Sequence, residues 1–257
     1  MVVTYDYLAK HGRLGNQMFQ YALLVGLKYK LGCEIIIDPE LRTISPLFEF
    51  FNLQECRVEP IQIDNLYKER MYHFDPDVFN ITEDTNFRGY FQSEKYFEHC
   101  KDVIKREFTF RQTTLEHIDK VLENYQGKRL VGVHVRRGDY LVLSDLHPTC
   151  SVEYYSAAMD LLDGENVLFL CVSDDLQWCR ENLIRDNIIF ISQHPVQDLC
   201  LLSKCDDYII SNSTFSWWGS WLGVSENKKV TAPKTWYGGR YLEWDLKNLY
   251  REEFIKL

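Results

Sequence analysis

The chain has 257 residues, 46% of them hydrophobic and 26% charged, a composition that lets it bury the core of one large or two small domains. Its formal net charge of −9 at pH 7 argues against a nucleic-acid partner, because nucleic-acid binding needs a basic surface. An anionic ligand would therefore need a local group of basic residues.

Cysteine spacing and apolar runs exclude two further classes of protein. The eight cysteines form no CxxC pair and no compact Cys/His group, which argues against a structural zinc site. No apolar run approaches the ~20 residues that a membrane helix needs, and no basic stretch followed by an apolar one opens the chain. We expect a cytoplasmic protein with free thiols and no membrane span.

The first half of the chain predicts the start of a parallel α/β domain. A strand is predicted over 2–8, a glycine-punctuated turn over 11–17, a helix over 18–31 and a second strand over 34–38. The following stretch, up to residue 129, is less regular, with helices predicted over 92–107 and 114–125. We place a domain boundary at the Gln126-Gly127-Lys128 segment, which gives the domains 1–126 and 127–257.

The second half alternates regularly between apolar strands and helices. The predicted strands cover residues 130–135, 167–172, 188–191, 208–210 and 229–232, and the predicted helices cover 152–162, 176–184, 196–204 and 215–224. This alternation predicts the α/β class with a doubly wound parallel sheet. In such a sheet, ligands bind at the carboxyl ends of the strands.

The strongest motif is HVRRGD at residues 134–139, which closes the first of these buried strands. An arginine at this end of a strand is costly unless it faces an anion or a cleft, and a guanidinium suits a departing diphosphate. Alternation along the strand predicts that His134 and Arg136 share one face and that Arg137 lies on the other. The structural alternative is an ion pair, for example between Arg137 and Asp139.

A second motif, SNSTFS at residues 211–216, lies between a predicted strand and a predicted helix. A helix N-terminus attracts phosphate through its unpaired N–H groups and partial positive charge, and hydroxyl side chains there add hydrogen bonds. The structural alternative is simple N-capping by Ser or Thr. The tryptophans that follow (Trp217, Trp218 and Trp221) are expected in the core.

Two weaker motifs also contain candidate ligand-binding residues. GRLGNQ at 12–17 allows close backbone approach and offers amide contacts, although a turn with a helix cap explains it equally well. Asp174 and Asp175 follow a predicted strand and either bind a cation or cap the next helix. Because a helical pattern starts at Leu176, capping is favoured, and no metal site is predicted.

GRLGNQMFQYA at 12–22, HVRRGD at 134–139 and SNSTFSWWGSWL at 211–222 together resemble the α-1,2-fucosyltransferase family, glycosyltransferase family 11. The HxRRGD element is shared with α-1,6- and protein O-fucosyltransferases. The resemblance implies a GT-B-like fold with two facing Rossmann-like domains, the first on the acceptor side and the second binding GDP-fucose. It also implies inverting transfer to a galactose-terminated glycan, with GDP-fucose as donor substrate and with neither a metal ion nor another cofactor.

The resemblance further implies roles for individual residues. Arg136 would bind the β-phosphate and stabilise the leaving group, supported by Arg137. His134 and Asp198 would approach the guanine. The remaining implied contacts are Ser213 and Thr214 with the diphosphate, Gly15 and Asn16 over the donor, and Asp174 or Asp175 with ribose or guanine.

Two aspects of the reaction stay open at the level of sequence. The general base is not fixed, with Asp139 and His11 as candidates. The chain is shorter than the family leads us to expect, which bears on acceptor specificity. The alternatives are a transferase for another nucleotide sugar or linkage and a catalytically silent glycan-binding protein, whereas a P-loop phosphotransferase is disfavoured because no GxxxxGK[ST] occurs.

Overall fold

The structure, a computed structural model that describes residues 1–257, contains two parallel sheets. The first sheet has the order β3-β2-β1-β5-β4 and all its neighbouring strands run parallel. Its strands are β1 (Val2–Thr4), β2 (Glu34–Ile37), β3 (Cys56–Val58), β4 (Leu66–Lys68) and β5 (Thr85–Arg88). Helix α1 (Leu14–Leu31) provides the crossover that two parallel strands require between β1 and β2.

The second sheet has the order β11-β10-β9-β6-β7-β8 and is also entirely parallel. Its strands are β6 (Arg129–Val135), β7 (Val167–Ser173), β8 (Ile188–Ile191), β9 (Asp207–Ile209), β10 (Val230–Ala232) and β11 (Phe254–Lys256). The crossover helices are α6 (Val152–Leu162), α7 (Leu176–Asn182), α8 (Pro195–Ser203) and α9 (Thr214–Leu222). Strand β6 lies between β9 and β7, where the chain changes its winding direction. The predicted α/β class with parallel sheets is confirmed.

The chain forms two compact units whose boundary differs from the predicted one. The first unit comprises Met1–Arg111 and Trp244–Tyr250, and the second comprises Gln112–Glu243 and Arg251–Leu257. Helix α5 (Gln112–Leu122) belongs to the second unit because it packs on α8, with Lys204 Nζ 2.5 Å from Asp119 Oδ1. The segment 244–250 returns to the first unit, where Trp244 stacks on Tyr72. Neither of these two long-range contacts can be predicted from the local amino-acid composition on which the expected boundary rested.

Several elements differ from their predicted limits. Helix α1 begins at Leu14, so Gly15 and Asn16 form its first turn rather than a preceding loop. The predicted helix over 92–107 is two short 3-10 turns followed by α4 (Lys101–Glu107). Strands β3 to β5 and the helices α2 (Pro39–Ile44) and α3 (Pro46–Phe50) lie in the stretch that showed no clear period. These strands are only three or four residues long, too short for a reliable alternation.

Large aromatic side chains fill the interior of both units. Trp217 and Trp218 are fully buried and Trp221 is 3% exposed, which confirms their expected place in the core. Burial of such rings is a major stabilising contribution to a domain of this size. In the first unit, Phe51 and Phe108 pack with their ring centroids 5.2 Å apart. No helix of the chain has both the length and the apolar character that a bilayer span requires.

Candidate functional site

Arg136 follows the carboxyl end of the central strand β6, and two carboxylates hold its guanidinium. Its Nη1 lies 2.8 Å from Asp174 Oδ2, and its Nη2 forms an ion pair with Asp139 Oδ1. The Arg136 side chain is only 14% exposed, so its charge would be costly without these partners. The carboxylates therefore fix the cation at the edge of the sheet where α/β proteins bind their ligands.

Arg137 is held by a different set of groups. Its Nε lies 3.0 Å from Asp175 Oδ2, its Cζ lies 4.1 Å above the Trp178 ring, and its backbone N–H donates to Asp174 Oδ1 at 2.9 Å. The suggested ion pair of Arg137 with Asp139 is therefore wrong, because Asp139 pairs with Arg136. Asp175 also caps α7 by accepting from Trp178 N at 3.2 Å, so the acidic pair both caps the helix and binds the arginines.

Gly138 allows the chain to turn closely around this ion-pair cluster. A Cβ at this position would lie 2.5 Å from Asp174 Oδ2, closer than a side chain tolerates. The glycine of the HVRRGD motif is therefore required by the proximity of the Asp174 carboxylate. Any larger residue would displace Asp174 from Arg136.

His134 joins strand β6 to the turn after β9. Its Nδ1 lies 2.9 Å from Ser211 Oγ, and its ring centroid lies 5.1 Å from that of Phe215. Burial, together with the nearby Arg136 charge, lowers the pKa of His134 to about 3. The imidazole is therefore neutral at physiological pH, where it can serve as a hydrogen-bonding group and as a packing surface.

Asn212 connects three segments at this edge of the sheet. Its Nδ2 donates to Pro148 O and to Trp236 O, each at 2.9 Å, and its Oδ1 accepts from Cys150 Sγ at 3.6 Å. Its backbone oxygen accepts from Tyr140 OH at 3.0 Å. Because Asn212 is 1% exposed, these bonds are made away from water and fix the segment 140–150 against the start of α9.

The start of α9 combines side-chain capping with the partial positive charge of a helix N-terminus. Ser213 is the N-cap and its Oγ accepts from Phe215 N at 3.3 Å, as the structural alternative predicted. Thr214 is the first residue of the helix and is only partly buried. The N-terminal N–H groups and the helix dipole favour an anion at this position. Capping and phosphate binding are compatible here, because one side chain satisfies only one of these N–H groups.

Asp198 lies in the first turn of α8, the helix that follows β8. Burial raises the pKa of its carboxyl group to about 7. Its Oδ1 is buried and has no hydrogen-bond partner, which is rare for a native carboxyl oxygen. The group is therefore suited to accept hydrogen bonds from a ligand.

Gly15 and Asn16 belong to the first unit, whereas the residues described above belong to the second. Asn16 Oδ1 accepts from Gln92 Nε2 at 2.9 Å. Gly12, with φ of +82°, passes so close to Asn16 that a Cβ would lie 2.9 Å from Asn16 Cγ. Gly12 thus serves both a tight turn and a close packing contact with Asn16.

Six of the predicted site residues are connected by direct contacts or by shared partners: His134, Arg136, Arg137, Asp139, Asp174 and Ser213. Asp198 and Thr214 lie in the first turns of the neighbouring helices α8 and α9. Three residues escaped the sequence analysis: Trp178 beneath Arg137, Tyr140 with its ring 5.4 Å from the Arg136 guanidinium, and His147 stacked on Tyr140 at 4.7 Å. Of these three, only Tyr140 could have been found from the sequence, because it directly follows the HVRRGD motif. No group of three or more His, Cys, Asp or Glu side chains is arranged to bind a metal ion.

A family model for glycosyl transferase family 11 matches residues 4–257 of the chain. The chain is similar to an α-1,2-colitosyltransferase of Escherichia coli, with 32% identity over 88% of the chain and 90% of that protein. It is also similar to galactoside α-(1,2)-fucosyltransferase 1 of Bos taurus, with 30% identity over 82% of the chain and 64% of that protein.

Further matches include the O-antigen biosynthesis glycosyltransferase WbnK of Escherichia coli, 26% identical over 91% of the chain and 95% of that protein. Among solved structures, the chain is similar to NodZ α-1,6-fucosyltransferase soaked with GDP-fucose, with a TM-score of 0.58 and 15% identity over 86% of the chain and 92% of NodZ. POFUT1 in complex with GDP gives a TM-score of 0.56 and 13% identity over 90% of the chain and 97% of POFUT1. These two likenesses confirm the GT-B-like fold.

The bonds of Asn212 lead to a prediction about stability. Asn212→Ala removes the donor to the buried carbonyl oxygen of Trp236 and to the part-buried carbonyl oxygen of Pro148. It should lower the free energy of unfolding by at least about 2 kcal/mol, measured by urea denaturation. The control is Asn124→Ala, since Asn124 is exposed and donates only to Val121 O. Equal stability of the two variants would show that Asn212 does not connect these segments.

Proposed function

The chain belongs to glycosyl transferase family 11, and we propose that it transfers fucose from GDP-fucose to the 2-hydroxyl of a terminal galactose with inversion at the anomeric carbon. The observation that carries this proposal is the partly buried Arg136 at the carboxyl end of β6, the place for a donor diphosphate in such a sheet. The similarity to the bovine galactoside α-(1,2)-fucosyltransferase supports the galactoside acceptor, and the similarity to the NodZ structure soaked with GDP-fucose supports the donor.

The leaving group of this reaction is GDP, whose negative charge grows as the glycosidic bond breaks. Arg136 is fixed before the donor arrives, and its guanidinium has N–H donors beyond the two that Asp139 and Asp174 occupy. Thr214 and the N-terminus of α9 supply further donors without a side-chain charge. Fixed groups of this kind stabilise a transition state because they need no reorganisation during the reaction.

Asp198 and His134 are suited to bind the base of the donor. A guanine ring presents adjacent N–H donors, which match an ionised carboxylate with an unpartnered oxygen such as that of Asp198. The neutral imidazole of His134 adds a hydrogen-bonding group without adding charge. This pairing favours guanine over uracil, whose single N–H cannot form the same two bonds with a carboxylate.

Charge compensation in this site does not require a metal ion. Two arginines and the N-terminus of α9 offer positive charge and N–H donors to a diphosphate, so we include metal independence in the proposal. The proton of the acceptor hydroxyl needs a base, for which Asp139 and His11 stay predictions, and the predicted catalytic role of Asn16 is to close over the donor. Asp139 is engaged by Arg136 and His11 stacks on Tyr7.

A second donor is favoured by one observation, the 32% identity with an α-1,2-colitosyltransferase. Colitose is fucose without its 3-hydroxyl, so the same GDP and diphosphate contacts would bind its GDP derivative. The two donors are distinguished by kcat/KM for GDP-fucose and GDP-colitose measured side by side with lactose as acceptor. A value for GDP-colitose more than tenfold above that for GDP-fucose would replace fucose by colitose in the proposal.

Arg136→Ala should lower the rate of fucose transfer to lactose by about 100-fold or more, the usual effect of removing one transition-state donor. The matched control is Arg180→Ala, since Arg180 is an exposed arginine on α7 and should be dispensable. Circular dichroism verifies that both variants fold. Near-normal transfer by folded Arg136→Ala would contradict the role of Arg136.

Metal independence predicts that transfer from GDP-fucose to lactose is unchanged after dialysis against EDTA. Because arginines and N–H groups provide the charge compensation, added Mg²⁺ or Mn²⁺ should alter the rate less than about twofold. The measurement is the appearance of fucosyl-lactose by chromatography. Complete loss of product in EDTA, with recovery on addition of a divalent ion, would refute this part of the proposal.

The pKa of Asp198 predicts how donor affinity depends on pH. Below pH 7 the carboxyl group of the ligand-free protein is protonated, whereas binding of guanine requires its ionised form. The affinity for GDP-fucose should therefore fall by up to about tenfold for each pH unit below 7 and should not depend on pH above 7. Asp198→Asn should bind weakly with a flat profile. Calorimetry between pH 5.5 and 8.5 measures both, and GDP-fucose is a suitable ligand because its phosphodiester groups do not titrate there. A flat wild-type profile would exclude Asp198 from guanine binding.

A further inference from the structure

The carboxyl edge of the first sheet carries a second group of polar side chains. Asp6 and Tyr7 follow strand β1, and Arg88 is the last residue of β5, the parallel neighbour of β1. His11 belongs to the same connection between β1 and α1 as Asp6 and Tyr7. None of these residues is involved in the site described for the second unit.

Arg88, Tyr7 and His11 form a three-layer stack. The Arg88 Cζ lies 3.8 Å from the centroid of the Tyr7 ring, and the Tyr7 and His11 rings are parallel to within 13° with their centroids 4.8 Å apart. The contact with the Tyr7 ring restrains the guanidinium without using its N–H groups as hydrogen-bond donors. His11 is exposed, so it presents a ring to solvent.

The charged pair in this group, Asp6 and Arg88, does not form a hydrogen bond. Arg88 Nη2 lies 3.7 Å from Asp6 Oδ2, longer than a hydrogen bond, and neither side chain makes a hydrogen bond elsewhere. Asp6 Oδ1 and Arg88 Nε are buried without any partner. By contrast, the Arg57–Glu34 pair of the same unit closes to 2.6 Å. Open buried polar atoms of this kind indicate a ligand or water that completes them.

The backbone beside Arg88 is rigid, so the open pair is not the result of a loose chain end. The carbonyl oxygen of Gly89 accepts hydrogen bonds from Tyr5 OH and from Gln20 Nε2, the latter at 3.1 Å. Gln20 is fully buried and Tyr5 has no exposed surface. These bonds hold the chain where it leaves β5, immediately after Arg88.

We infer that Asp6, Arg88 and the exposed ring of His11 form the binding site for the acceptor sugar. A hydroxyl can donate to Asp6 while its neighbour accepts from Arg88, so a pair of adjacent hydroxyls bridges the 3.7 Å gap. The pair is neutral overall, which suits an uncharged sugar, and the His11 ring suits its apolar face. This inference rests on the proposed function and makes Asp6 and Arg88 specificity-determining residues for a galactoside.

The kinetic test uses the full chain with Asp6→Asn and Arg88→Gln, and with Arg57→Gln as the matched control. With p-nitrophenyl β-galactoside as acceptor, each of the first two variants should raise the acceptor KM roughly tenfold or more, because a charged hydrogen-bonding group is lost. The KM for GDP-fucose and the rate of GDP-fucose hydrolysis without acceptor should stay within twofold. Arg57→Gln should leave all these constants unchanged.

Unchanged acceptor KM values in both variants would overturn the inference. A rise confined to the KM for GDP-fucose would also overturn it, since the site would then bind the transferred sugar of the donor.

A binding measurement separates this inference from the proposed function. Saturation-transfer NMR of methyl β-galactoside with the wild-type protein, without donor, should show contact, which Asp6→Asn and Arg88→Gln lose and Arg57→Gln keeps. If GDP-fucose is not turned over, the proposed function fails while this result still decides the sugar site. Equal saturation in all four proteins would show that the galactoside binds elsewhere.

Discussion

The buried side-chain amide of Asn212 is the contact on which the arrangement of the second unit's site depends. It donates to the carbonyls of Pro148 and Trp236 and thereby fixes two irregular segments against the turn between β9 and α9. The same turn carries the α9 N-cap at its end and the His134 partner Ser211 at its start. One amide therefore aligns a helix N-terminus with the strand that carries the arginines, in a region where no regular ladder could do so.

The fold of the second half was predictable because its strands are buried on both faces and read as continuous apolar runs. Both predicted limits of α6 and of β8 agree with the structure to the residue. So do the predicted starts of β7 and α7 and the predicted ends of β6 and β10. Strand β11 was missed because it is short and separated from its parallel neighbour β10 by a polar stretch. The strands of the first half were harder to predict, because β3 and β4 are half-exposed edge strands whose pairing depends on residues distant in the sequence.

For the site, residue type and strand position were enough to single out Arg136 and His134 at the carboxyl end of β6. The partners of the arginines were not predictable, because Asp174 follows the end of β7 and its contact with Arg136 depends on the register that aligns Val135 with Ser173. The interpretation of Asp175 as a helix cap was right but incomplete, since one carboxylate oxygen caps α7 while the other pairs with Arg137. The local sequence pattern predicts the capping role of Asp175, whereas its ion pair with Arg137 depends on how neighbouring strands pack in the sheet.

The two units treat their charged pairs in opposite ways, and under the proposed function each pair has a different ligand. In the second unit, carboxylates compensate both arginines, so a single phosphate gains little by displacing them, whereas a diphosphate that also reaches the α9 N-terminus gains several charged hydrogen bonds at once. Under the proposed function, this compensation favours the larger anion. In the first unit, the Asp6–Arg88 pair is nearly uncompensated by hydrogen bonds but neutral in sum, so it attracts no free ion strongly. Such a pair gains most from a neutral ligand that supplies a donor and an acceptor together, which is what adjacent sugar hydroxyls provide.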